Sequence, residues 1–204
     1  MTSTESTARS FGLGLPEGFV ELPSSVASAT AESIGEVTAY FARLFNLPPD
    51  DLNAAAAAVY FAAVGTSSGD DGIDHTAMAM YRSPDDPERA MMVLLSSSCL
   101  PASHPGVAPA IAGLLEIHRA SDKNTVAQVE LPAGPAVVVV DEEQNGIMIG
   151  EQFAPIVHRK ITAWVPDPDG TTIAVVSMAS NNWPDWAHVC QLAMDIFDTL
   201  EWDR

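Results

Sequence analysis

Apolar residues recur at three- and four-residue spacing from about Ala31 to Asn46. Ile34, Val37, Phe41 and Leu44 fall on one helical face, and Tyr40 and Phe45 widen it. Thr30 stands at the N-cap position and Pro48-Pro49 closes the element. Asp50-Asp51 then opens an alanine-rich helix. Near Ala58 the composition turns to Val59-Tyr60-Phe61, which favours a strand up to Gly65. One continuous helix from Asp50 to Val64 is the rival reading of the same residues.

Further along, the period shortens to two. His75–Tyr81, Met91–Ser97, Thr125–Leu131, Ala136–Asp141, Val157–Val165 and Thr171–Met178 all suit strands. Turn residues lie between them at Gly69-Asp-Asp-Gly72, Ser83–Pro87, Pro132–Pro135 and Pro166–Gly170. The first of these turns is expected to link the strand ending near Gly65 to the one starting at His75. Phe19–Leu22, bracketed by Pro16 and Pro23, reads as a short edge strand. Two more helices are predicted. Val107–Arg119 aligns Ile111, Leu114, Leu115 and His118, and Pro184–Leu200, with Asn182 as its cap, aligns Trp186, Val189, Ala193, Ile196, Phe197 and Leu200. Hairpins interspersed with long helices, without βαβ alternation, predict an α+β class: an antiparallel β-sheet with helices packed on its faces, an α-β-α sandwich. Residues 11–204 form one such domain, and residues 1–10 are polar enough to form a disordered tail.

Composition narrows the function classes. At 204 residues, 47% of them hydrophobic, the chain can bury a core of its own. Its longest apolar run, Ala54–Val64, falls well short of the roughly 20 residues of a membrane span. The first residues carry no basic or apolar leader pattern, and two cysteines do not make a disulfide framework, so a cytoplasmic location is expected. Asp and Glu total 27 against 9 Lys and Arg, a formal charge of −18. Binding a polyanion needs clustered cations, and here Arg159-Lys160 is the only adjacent basic pair. Neither nucleic acid nor an anionic membrane surface is an expected partner; the acidity suits solubility alone or, as the functional reading, a basic protein partner.

Candidate chemistry is sparse. Gly65-Thr-Ser67-Ser-Gly69 matches the G-x-S-x-G nucleophile elbow, which needs a sharp strand-to-helix turn around the serine. Asp70-Asp71-Gly72 and Asp74 would break such a helix in its first turn, so a hydrolase using Ser67 ranks last. Asp70, Asp71, Asp74 and His75 lack the ligand spacing of zinc or calcium sites, and Asp167-Pro-Asp169-Gly170 is only a fragment of a calcium loop. Turn chemistry accounts for both clusters. No phosphate-binding glycine loop occurs, and no cofactor or metal is expected. His118 and His188 are expected to pack in helix stripes, and Cys99 and Cys190 to be buried thiols. Met78, Met80, Met91 and Met92 could line an adaptable apolar pocket for a small molecule. Four tryptophans include Trp183 and Trp202 near the end of the chain, and these two, with Asp70, Asp71 and Asp74, are the expected interaction surface.

Three stretches carry a family likeness: Leu15-Pro-Glu-Gly-Phe-Val-Glu-Leu-Pro23, Val129-Glu-Leu-Pro-Ala-Gly-Pro-Ala136, and the hairpin-then-helix from Ala163 to Leu200. With them, the order of elements over most of the chain after residue 11 resembles the PsbP-like α-β-α sandwich superfamily, which includes photosystem assembly factors and small bacterial proteins. The resemblance implies a non-catalytic binding or assembly protein and supplies no catalytic set. Three readings follow in order: a non-enzymatic interaction, assembly or chaperone-like protein, then a small-molecule binding domain, then a hydrolase.

Overall fold

The computed structural model describes residues 9–25, 27–70, 72–149 and 152–203, with side chains except at 66–70, 143–149 and 152–157. In chain order the elements are β1 (Phe11–Gly12), β2 (Val20–Leu22), α1 (Ala31–Leu44), α2 (Leu52–Asp70), β3 (His75–Arg82), β4 (Ala90–Pro101) and α3 (Val107–Arg119). There follow β5 (Thr125–Leu131), β6 (Gly134–Ile149), β7 (Gln152–Pro166), β8 (Thr172–Ser180), a 3₁₀ turn (Trp183–Asp185), α4 (Trp186–Phe197) and β9 (Glu201–Trp202). Seven strands form one antiparallel sheet in the order β2-β3-β4-β8-β7-β6-β5, and β1 pairs with β9 separately. The fold is α+β, with helices packed on both sheet faces. No described helix is long and apolar enough to cross a membrane.

Register shows which helices share a face. Cross-strand partners and alternate residues of one strand point the same way. Met78 pairs with Leu94, Leu94 with Ala179, Ala179 with Lys160 and Lys160 with Asp141, two residues from Val139. Met78 packs with Leu22 under Val37, Phe41, Ala54 and Ala58 of α1 and α2. Val137 and Val139 pack under Ile111 and Leu114 of α3. These three helices therefore lie on one face. The other face presents Ala79, Val93, Val176, Met178 and Ala163 to Val189, Ala193, Ile196 and Phe197 of α4.

The largest departure from the sequence reading is α2. The predicted strand from Val59 to Gly65 is helix, and the single-helix rival is what forms. Ala54, Ala58, Ala62 and Gly65 are buried at helical spacing, and such small residues let α2 lie close to its neighbours. That packing overrides the modest strand preference of Val-Tyr-Phe. The Asp51 carboxylate starts the helix by accepting from the amides of Asn53 (2.8 Å) and Ala54 (3.2 Å). The hairpin expected between residues 59–65 and 75–81 does not exist, and β3 pairs with β2 and β4 instead. Trp183–Asp185 likewise forms a separate 3₁₀ turn rather than the start of α4. The Asn182 side chain accepts from the amide of Met92 (3.1 Å) and donates to the carbonyl of Ala90 (2.7 Å), so it ties β4 down instead of capping.

Arg9 and Asp203, at the two ends of the described residues, join one clasp. Arg9 pairs with Asp169 at 2.6 Å and donates to the Asp203 carbonyl, while its amide donates to the Thr172 hydroxyl. At the opposite end of the sheet, the fully buried Asp185 accepts from Arg89 at 2.8 Å and from the Ser83 hydroxyl at 2.5 Å. The Arg89 bond, then the Ser83 bond, holds the Asp185 carboxyl at about 2, below its ordinary 3.8. A depressed acid stabilises the fold above its unfolded value and loses that contribution as pH falls through its folded value. Thermal melts should therefore show a stability loss between pH 4 and pH 2 that is smaller in Asp185→Asn, which should also be the less stable protein at neutral pH.

Candidate functional site

The acidic turn joins a helix to a strand, not two strands. Gly65 to Asp70 are the last turns of α2, and His75 opens β3. Ser67 is thus inside a helix that precedes a strand, the reverse of the order the elbow needs. Gly65 has a separate structural reason. A β-carbon there would stand 2.6 Å from the Pro23 carbonyl oxygen and 2.8 Å from the Leu22 β-carbon, so the glycine lets α2 touch the chain leaving β2.

The predicted surface residues do not converge. Asp70 closes α2, its side chain is not among those described, and Asp71 lies outside the described residues. Asp74 accepts from the Cys99 amide at 2.7 Å, while its own amide donates to the Ser97 carbonyl. Cys99 pairs with Ala174 near the start of β8, where the Arg9 amide, two residues before Phe11, donates to the Thr172 hydroxyl. Phe11 also meets Trp202 edge-on at 5.9 Å, so Asp74 and Trp202 occupy the same end of the sheet. Trp202 is half-buried there. Trp183 follows the far end of β8, where the Arg159 guanidinium lies 3.9 Å from its ring centroid, and it is 42% exposed. At roughly 3.3 Å per residue, the nine residues of β8 separate the two tryptophans by about 25 Å.

Other candidates serve the fold. Asp167 is fully buried and accepts from the Gly170 and Thr171 amides and from the Thr171 hydroxyl at 2.7 Å. Burial pushes its carboxyl up, and these bonds outweigh that and hold it below its ordinary value. Met78, Met80 and Met92 sit on the face under α1 and α2, whereas Met91 is buried on the α4 face, so the four methionines do not line one cavity. His118 packs against Trp164 at 4.9 Å, and burial lowers its pKa. His188 is not a packing residue; it meets Asp85 at 3.1 Å on the surface. Cys99 and Cys190 are separate, half-buried thiols, each pushed up by burial. Among the described residues no three His, Cys, Asp or Glu side chains gather to hold a metal.

The arrangement that stands out is the outer face of α2. Leu52 is 83% exposed, Val59 57% and Tyr60 53%. Ala56 and Ala63 are exposed between and beyond them, giving one stripe at i, i+4, i+7, i+8 and i+11. Phe45, at the C-cap of α1, adds an exposed ring stacked on Phe41. No charged residue occurs from Leu52 to Gly69, in a chain of net charge −18. An ordinary surface helix turns charges outward; from Leu52 to Val64 this one is uncharged on both sides. At the end of α1 and the connection that follows, an open depression of about 350 Å³ is lined by Ala39, Ala42, Arg43, Asn46, Leu47 and Pro49. Sequence reasoning missed the stripe because it divided the segment at Ala58. The uncharged run was the available signal. No protein-family model matches this sequence, and neither does any curated protein.

Proposed function

We propose that this chain is a non-enzymatic interaction protein, of the assembly or chaperone-like kind, and that the outer face of α2 is its docking surface. One observation carries the reading: from Leu52 to Ala63 the exposed residues of α2 are uncharged and, Asn53 apart, apolar, while the rest of the chain is dense with carboxylates. Contiguous exposed apolar surface is costly unless a partner covers it. The order of elements, with its likeness to the PsbP-like superfamily, agrees with a binding role by analogy. Two free thiols suit a reducing, cytoplasmic setting.

Val59→Glu tests the reading. Val59 is exposed, so folding stability should change by no more than about 0.5 kcal/mol. A protein captured by the wild type at low salt should be lost by the variant, as judged by quantitative mass spectrometry. Trp183→Ala should retain it. Equal capture by wild type and Val59→Glu would contradict the assignment.

A further inference from the structure

The partner's binding element follows from the charges around the stripe, an inference that rests on the docking role of α2. We propose that the occupant is a cationic amphipathic helix of another protein. It lies along α2 with its apolar stripe on Leu52, Ala56, Val59 and Tyr60 and its Lys or Arg side chains toward the carboxylates at both ends. Residues spaced at i, i+4, i+7 and i+8 offer the surface that a second helix reads, and the small Ala56 leaves a hollow between larger neighbours. The ends of the stripe are acidic. Asp50 is exposed just before α2. α1 packs against α2 through Phe41 and Phe61, and Glu32 and Glu36 are exposed on α1. From Ala31 to Asp70 the sequence has Glu32, Glu36, Asp50, Asp51 and Asp70 against the single cation Arg43. A second copy would bring another charge of −18 to this face, and an anionic bilayer would be repelled in the same way.

Fluorescence anisotropy with three labelled synthetic peptides tests the proposal on the full chain. One peptide carries a leucine stripe flanked by lysines, one the same stripe flanked by glutamates, and one the lysine composition with the stripe scrambled. The lysine-flanked helix should bind, and bind more weakly as salt rises. Val59→Glu should weaken it by at least about tenfold, the effect expected at a hot spot, with the melting temperature unchanged. Glu32→Gln/Glu36→Gln/Asp50→Asn should weaken it several-fold and flatten the salt dependence. Equal binding of the scrambled or glutamate-flanked peptide, or no binding of the lysine-flanked one, overturns the proposal. So does a wild-type dimer or anionic-vesicle binding that Val59→Glu abolishes, and either result leaves the docking role of α2 intact. If Val59→Glu changes neither peptide binding nor cellular capture, the docking role fails as well.

Discussion

Phe41→Ala should destabilise the protein by about 3–5 kcal/mol, the usual cost of emptying a buried phenylalanine site. Phe41 is 2% exposed at the centre of the cluster that holds α1 and α2 to β2 and β3. Its ring stacks on Phe61 of α2 at 5.4 Å and on Phe45 at 6.2 Å, and it meets Tyr40 edge-on at 5.5 Å. Tyr40 in turn accepts a hydrogen bond from the Met80 amide of β3 at 2.8 Å. Removing the ring therefore loosens α1, α2 and their seat together, while the α4 core on the opposite face keeps its contacts. Urea denaturation should register the loss, and hydrogen exchange should place the new opening in residues 31–65 rather than in β7, β8 or α4. A loss below about 1 kcal/mol would mean that the two helices are not held as described.

Gly65→Ala should cost about 1–3 kcal/mol, the range for overpacking a close contact. Alanine is ordinarily the better helix former, by about 1 kcal/mol over glycine, so the sign is diagnostic. The nearest obstacle is the Pro23 carbonyl oxygen at 2.6 Å, a backbone atom at the end of an edge strand that cannot rotate away. Leu22 blocks the other side with its own β-carbon. A stabilised Gly65→Ala would show that α2 does not touch β2, and would reopen the strand reading of Val59–Gly65. Chemical denaturation of the two proteins decides between these outcomes.

Elements with one clear period were legible in the sequence. Val107–Arg119 and Thr125–Leu131 form at their predicted bounds: the helix buries one face through Ile111 and Leu114, and turn residues stand beside both elements. Phe19–Leu22 appears as the edge strand β2. Thr30 caps α1 as expected, accepting from the Ser33 amide at 3.2 Å. The end of that helix was misplaced by two residues. Asn46 takes a left-handed φ of 52°, and the Leu47 amide donates to the Ala42 carbonyl, so the backbone closes the helix before the prolines are reached. β6 and β7 run further than the segments Ala136–Asp141 and Val157–Val165 that announced them. Their outer pairs, from Glu143↔His158 to Ile149↔Gln152, are set by the ladder already formed and not by alternation. β1 and β9 have two residues each, too few for any period to show.

The candidate site was legible only in outline. Acidity and the lack of a catalytic set suggested an interaction protein, and the tryptophans suggested a surface whose two members the fold sets at opposite ends of β8. Trp202 and Trp183 lie at opposite ends of β8, one edge-on to Phe11 and the other beneath the Arg159 guanidinium. Alanine carries little hydrophobic weight, so a face built on Ala56 and Ala63 gives a weak signal until the helix is known to be continuous.

The central claim is that a partner lies on the outer face of α2. Photo-crosslinking in cells reads this directly, with a benzophenone amino acid in place of Tyr60 or in place of Gln191, an exposed residue of α4. The account predicts one discrete adduct from position 60 and none from position 191. A discrete adduct from position 191 alone, or the same adducts from both positions, would contradict it.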